Sequence, residues 1–179
     1  MGFGHPADAR RHETLLFSGY LAEDRGDTLT AQQQFQEVLR QDQTQSHLSA
    51  AALIGLGRVA LQEGVHQTAG RHFATALHLT PKLQTAPQAL ETLAGVAHWQ
   101  AEAGQLEQAL ALAGLVLSHP SSTQETKDRV AGLEAELRTA LPPEQAQAVL
   151  VRGQTSELWA TVAEVGARLA IEIGFGPAA

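Results

Sequence analysis

The sequence of 179 residues contains no cysteine, which excludes disulfides, thiolate metal sites and a cysteine nucleophile. Basic residues are scarce: twelve, only two of them lysine (Lys82 and Lys127), against nineteen acidic ones, for a formal charge of −7. Such a chain has no basic field to neutralise phosphates, which argues against nucleic acid as a direct partner. Aromatics make up 4% of the residues, too few for a base-stacking platform. The longest apolar run, Ala109–Leu117, falls far short of the ~20 residues of a membrane span. The opening stretch MGFGHPADARR has no apolar core of a signal peptide, so the expected location is cytoplasmic. What the chain does have is alanine, 31 residues of it, together with many Gln, Leu and Glu. That composition predicts helices, and the length suits one domain.

The helices repeat. When Gly57 is aligned with Gly19, Gly64 falls on Gly26, Ala69 on Ala31 and Phe73 on Phe35, without a gap. A third copy places Gly104 on Gly64 and Ala109 on Ala69, with Ala113 in place of the phenylalanine. The period is about 38–40 residues. Each copy reads as two helices. In the second, Leu53, Leu56, Val59 and Ala60 recur at helical spacing, Gly64 supplies a tight turn, and Ala69, Phe73, Ala76 and Leu77 share a face of the next helix. Pro81 is expected to end that helix. Gly57 and Ala69 are small enough for close helix approach, and Phe73 is expected to fill the space between neighbouring hairpins. A single hairpin cannot bury its apolar face alone, so the copies should stack.

This pattern resembles the tetratricopeptide (TPR) repeat family. The second copy carries Leu56-Gly57, Gly64, Ala69, Phe73, Ala76 and Pro81 at the family's signature offsets. The first keeps Gly19, Gly26, Ala31 and Phe35, with Ser18, Val38 and no closing proline as departures. The third keeps Leu93, Gly104 and Ala109, with Ala97 at the glycine position. The excess over the usual ~34 residues is placed in the links Gln41–Ser46 and Lys82–Pro87. The resemblance implies an all-α, right-handed TPR-like solenoid of antiparallel hairpins, with repeats at about 11–45, 50–83 and 90–121.

Beyond the third copy, Ser122-Thr123-Gln124-Glu125 reads as a capping box with Ser122 as cap, opening a degenerate fourth hairpin over 122–153. Ser156 is expected to cap a last helix over 155–171, with Leu158, Val162, Val165 and Leu169 on one face. This C-terminal capping helix should cover the open end of the stack, leaving Gly174–Ala179 frayed. Repeats of about 40 residues followed by LPPEQAQAVLVRGQTSELWATVAEV also resemble, more loosely, the C-terminal sensor region of large bacterial ATPase/LuxR-type transcriptional regulators. No G-x-x-x-x-G-K-[ST] motif occurs, so under that resemblance the chain is a sensor or scaffold piece and switching lies elsewhere.

Signatures of catalysis are lacking. None of the eight histidines forms an i,i+4 pair or an H-E-x-x-H motif, so they read as solvated surface residues, and no metal or other cofactor is expected. Glu23 and Asp24 are adjacent on a helix and point about 100° apart, so they read as surface carboxylates and not as an acid–base pair. No G-x-S-x-G is present. Trp99 sits at the offset of Val59 and reads as core, whereas Trp159 fits either a packed or an exposed position.

The remaining candidate is the concave side that the first helices of a TPR stack line. Equivalent offsets form one row of Tyr20, Arg58 and His98, a second with Glu23, Gln62 and Glu102, and a third that includes Phe17. An aromatic, a cation and an imidazole at one depth suit recognition of a peptide or a small polar ligand, with Arg58 offering a fork to a ligand carboxylate. The bland alternative pairs Arg58 with Glu23 or Glu102. The leading expectation is therefore a non-enzymatic interaction module holding a protein or peptide in its groove. The second is a small-ligand sensor domain of a bacterial transcriptional regulator, responding to a small-molecule effector.

Overall fold

The computed structural model describes residues 6–42 and 44–174, and within them the chain is all-α, with nine helices and no strand. The helices are α1 (Pro6–Asp24), α2 (Thr28–Gln41), α3 (His47–Gln62), α4 (His66–Leu83), α5 (Ala86–Glu102), α6 (Leu106–Ser118), α7 (Gln124–Ala140), α8 (Pro143–Gln154) and α9 (Leu158–Glu172). No described helix is long and apolar enough to cross a membrane. The tail 175–179 and the stretch before Pro6 lie outside the described residues.

Three turns share one construction. Gly26, Gly64 and Gly104 adopt φ of 74°, 71° and 78°, the left-handed region that side chains avoid. At each, the glycine N–H and the next N–H donate back to the last turn of the preceding helix, as from Gly64 to Leu61 and from Val65 to Ala60. These bonds satisfy carbonyls that a helix end otherwise leaves unpaired. The turns lay α2 against α1, α4 against α3 and α6 against α5.

Phenylalanine locks each pair to the next. The Phe35 ring lies between Gly19 of α1 and Gly55 of α3, and the Phe73 ring between Gly57 of α3 and Gly95 of α5. Methyl groups at 55 or 95 would stand 2.5 Å from those rings. Both phenylalanines are fully buried. As a result α1, α3, α5 and α7 pack side by side in sequence. This ladder positions the site below.

The regularity ends at α6. With Ala113 where a ring would stand, α8 packs mainly on α6 and only slightly on its hairpin partner α7. The approach is close at Gly114 and Gly153: a methyl on Gly153 would run into the Ala111 backbone carbonyl. Helix α9 buries the expected face, Leu158, Val162, Val165 and Leu169. It does not cover the open end of the ladder, however. It turns back onto α4 and α5, where Ile173 reaches the space above Gly70 and Trp99. Trp99 is buried and donates its indole N–H to the His66 carbonyl at 2.9 Å, while Trp159 is half-buried against the same core.

Several local expectations are corrected. Pro81 does not end α4, which runs on to Leu83 and stops at Gln84 in a left-handed conformation. The second link therefore shrinks to two residues, whereas the first stays where expected, between Gln41 and His47. The helices α1, α3 and α5 begin at Pro6, His47 and Ala86, ahead of the repeat boundaries drawn from sequence. Thr123, not Ser122, caps α7, and Glu157, not Ser156, caps α9, its carboxylate accepting from the Trp159 and Ala160 N–H groups. A carboxylate at a helix start also gains from the helix dipole, an advantage a serine lacks. His72 is half-buried, not solvated, and its burial lowers its pKa.

The α2–α3 link is tied by Asp42. Its carboxylate accepts from the N–H and hydroxyl of both Thr44 and Ser46, and from the Ser49 hydroxyl at 2.7 Å. Burial pushes the carboxyl pKa up, but these hydrogen bonds prevail and hold it well below the usual value of 3.8. A depressed carboxyl contributes stability that is present above its unfolded pKa and lost as pH falls below it. Urea midpoints measured from pH 6 down to pH 3 should therefore fall more steeply for the native chain than for Asp42→Asn. The substitution itself should cost roughly 1–3 kcal/mol at pH 7.

Candidate functional site

The ladder of α1, α3, α5 and α7 brings polar side chains together at one depth. Arg58 of α3 is the hub. It donates from Nε and Nη2 to the two oxygens of Glu23 on α1, at 2.6 and 2.8 Å, and from Nη1 to Glu91 on α5, at 2.6 Å. Its guanidinium also lies 5.4 Å from the centre of the Tyr20 ring. The side chains of Arg58 and Glu23 keep only 11% and 2% of their accessible surface. Burial disfavours the Arg58 cation, but the Glu23 hydrogen bonds and the nearby Glu91 charge outweigh this and raise its pKa. Burial, then the charge of Glu91, pushes the Tyr20 phenol well above its usual value. Tyr20 itself meets Phe35 edge-on at 5.3 Å, which ties the polar hub to the ring that joins α1 to α3.

A second arginine closes the far side. Arg129 of α7 stands 3.8 Å from Glu23 and 3.9 Å from Asp24, both on α1, and 2.9 Å from Glu125 on its own helix. The row of first helices thus curves until the fourth faces the first. Between them is a cavity of about 320 Å³, with Leu61, Ala94 and Gly95 as apolar wall and Glu23, Arg58, Gln62, Glu91, His98, Glu102 and Arg129 as polar wall. The ring nitrogen Nε2 of His98 lies 3.0 Å from the Arg129 carbonyl. A carbonyl only accepts, so Nε2 carries the proton and, in the neutral ring, Nδ1 is left as an acceptor. Glu102 pairs with His66 at 3.1 Å at the rim.

The structure therefore brings Glu23, Arg58, Gln62, His98 and Glu102 to one cavity, with Tyr20 beneath it. Three expectations change. Phe17 does not line the cavity and is 64% exposed. Glu23 is not a surface carboxylate; Arg58 draws it inside, while its neighbour Asp24 stays exposed. Arg58 is not a free fork, because Glu23 and Glu91 engage it already. Glu91 and Arg129 escaped the sequence rows. Glu91 stands two turns before His98 on the same stripe of α5, a spacing the sequence does contain. Arg129 belongs to the degenerate hairpin, where alignment gives no register.

Nothing in this geometry pairs a nucleophile with a base. Among the described residues, no three His, Asp or Glu side chains gather as a cation site. The arrangement can hold and discriminate a polar molecule by shape and charge. No protein-family model matches the chain, and neither a curated protein nor a solved structure matches it.

Proposed function

We propose that the chain is a non-enzymatic, TPR-type ligand-binding module, a right-handed solenoid whose cavity takes a small polar molecule. The recurrence of Gly57, Gly64, Ala69 and Phe73 over three copies supports the repeat class. One observation carries the function: charged side chains from four different helices converge on a single walled cavity, with α7 reaching back to α1 across its mouth. Burying charge in this way rarely improves on well-packed apolar residues as a source of stability, so a recognition role accounts for it better. The regulator resemblance would make this a sensing part of a bacterial signalling assembly in the cytoplasm.

A protein or peptide lying in the groove is the second reading. It is favoured by Phe17 and Leu21, 64% and 39% exposed, in line along α1 with Asp24 at the cavity edge. The two readings separate in a thermal-shift screen of amines, carboxylates, sugars and short peptides on the native chain and on Leu61→Trp, which fills the cavity. A small molecule at 100 times its Kd should stabilise the native chain by about 2.7 kcal/mol and leave Leu61→Trp unmoved. If no compound acts on the native chain more than on Leu61→Trp, the cavity reading fails. A peptide that still stabilises Leu61→Trp but not Phe17→Ser would establish the second reading.

A further inference from the structure

Resting on the cavity reading, we propose that the ligand is a linear alkyl diammonium lying along α5. Several polar groups of the cavity are already engaged. Both oxygens of Glu23 accept from Arg58, whose Nε, Nη1 and Nη2 all donate to carboxylates of the protein. Arg129 is held by Glu125, with Glu23 and Asp24 close by. The cations are thus balanced by protein carboxylates, and beside the spare N–H groups of Arg129 and Gln62 the wall keeps acceptors with capacity. Among the described residues, one oxygen of Glu91 and one of Glu102 have no partner, and His98 Nδ1 has none. Three carboxylates against two guanidiniums leave the cavity wall with a negative balance, in a chain that is itself at −7.

The placement of these acceptors gives the ligand its shape. Glu91, Gly95, His98 and Glu102 follow one another at spacings of three or four, so they form a single stripe on α5. The two glutamates close the ends of the stripe, about 16 Å apart along the helix axis before their side chains lean inward. Between them Leu61, Ala94 and the backbone of Gly95 offer an apolar floor. A carboxylate at each end of an apolar trough matches an ammonium at each end of an alkyl chain. A carboxylate or phosphate ligand would meet cations already balanced by protein carboxylates, and further carboxylates that repel it.

The test is titration calorimetry of the full chain at 0.15 M salt with 1,8-diaminooctane, n-octylamine and octanedioate. The diamine should bind at one site per chain, the monoamine at least tenfold more weakly, and the diacid not at all. Glu102→Gln, at an exposed position that leaves the fold intact, should reduce diamine affinity about tenfold and leave that of the monoamine within twofold. Equal affinity for diamine and monoamine, binding of the diacid, or an unchanged Kd in Glu102→Gln would overturn the assignment. If the diamine fails while another compound of the screen binds the native chain and not Leu61→Trp, the ligand class is wrong and the cavity reading stands. If nothing binds, both fall.

Discussion

Phe73→Ala should destabilise the chain by roughly 3–5 kcal/mol, measured by urea unfolding, the range expected for emptying a fully buried aromatic site. The ring touches α3 at Gly57 and α5 at Gly95, so its loss removes packing within one hairpin and between two. A companion substitution makes the result specific to that placement. In the native chain a methyl at 95 would press on the ring at 2.5 Å, so Gly95→Ala should destabilise. In the Phe73→Ala background the obstruction is gone, and alanine should recover up to ~1 kcal/mol from its better helix propensity. The sign reversal is a coupling that only direct contact produces. If the two substitutions add, the ring is not in the glycine slot.

The second large effect concerns the buried charges. Arg58→Met should cost roughly 3–5 kcal/mol, because it strips both hydrogen bonds from the Glu23 carboxylate, 2% exposed, and leaves it only Arg129 at 3.8 Å. Glu23→Leu should cost less, because the guanidinium keeps its hydrogen bond to Glu91. Made together, the two substitutions should recover most of the loss, since an apolar pair of similar size suits a buried position at least as well as an ion pair. Unfolding midpoints of the four chains form a cycle that isolates this term. A double variant as unstable as the sum of the singles would mean that the polar hub holds α1 to α3, and that Glu23 and Arg58 owe their presence to the fold.

The parts of the fold legible in the sequence are those written in residue identity. Gly26, Gly64 and Gly104 announce their turns because only glycine is at ease with positive φ there. Phe35 and Phe73 recur because each fills the same slot. The other wall of the slot was also on display, since Gly55 and Gly95 are forty positions apart, but it belongs to the following hairpin and lies outside the row that Gly57 defines. The apolar face of α9 was readable, whereas its landing place on α4 and α5 depended on Ile173 finding the hollow at Gly70 and Trp99. Cap positions slipped by one residue at α7 and α9, where Thr123 and Glu157 compete with adjacent serines for the same N–H groups. For the site, equal offsets in successive first helices predicted that Glu23, Arg58 and His98 would share a surface. They could not predict how far that surface curves. Only curvature brings Arg129 to Glu23, and curvature is set by packing between helices, not by any one residue.

That closure is the central claim, and the absence of cysteine makes it directly measurable. Asp24 and Glu125 are exposed, and their carboxylates stand 3.9 and 2.9 Å from the same Arg129 nitrogen. Spin labels on Asp24→Cys and Glu125→Cys, the only two thiols in the chain, report the gap between α1 and α7 by dipolar spectroscopy. The approach of α7 to α1 through Arg129 predicts one distance below roughly 20 Å. Helices spaced 8–10 Å apart in an open row would hold the first and fourth about 25–30 Å apart, and that distance would contradict the account.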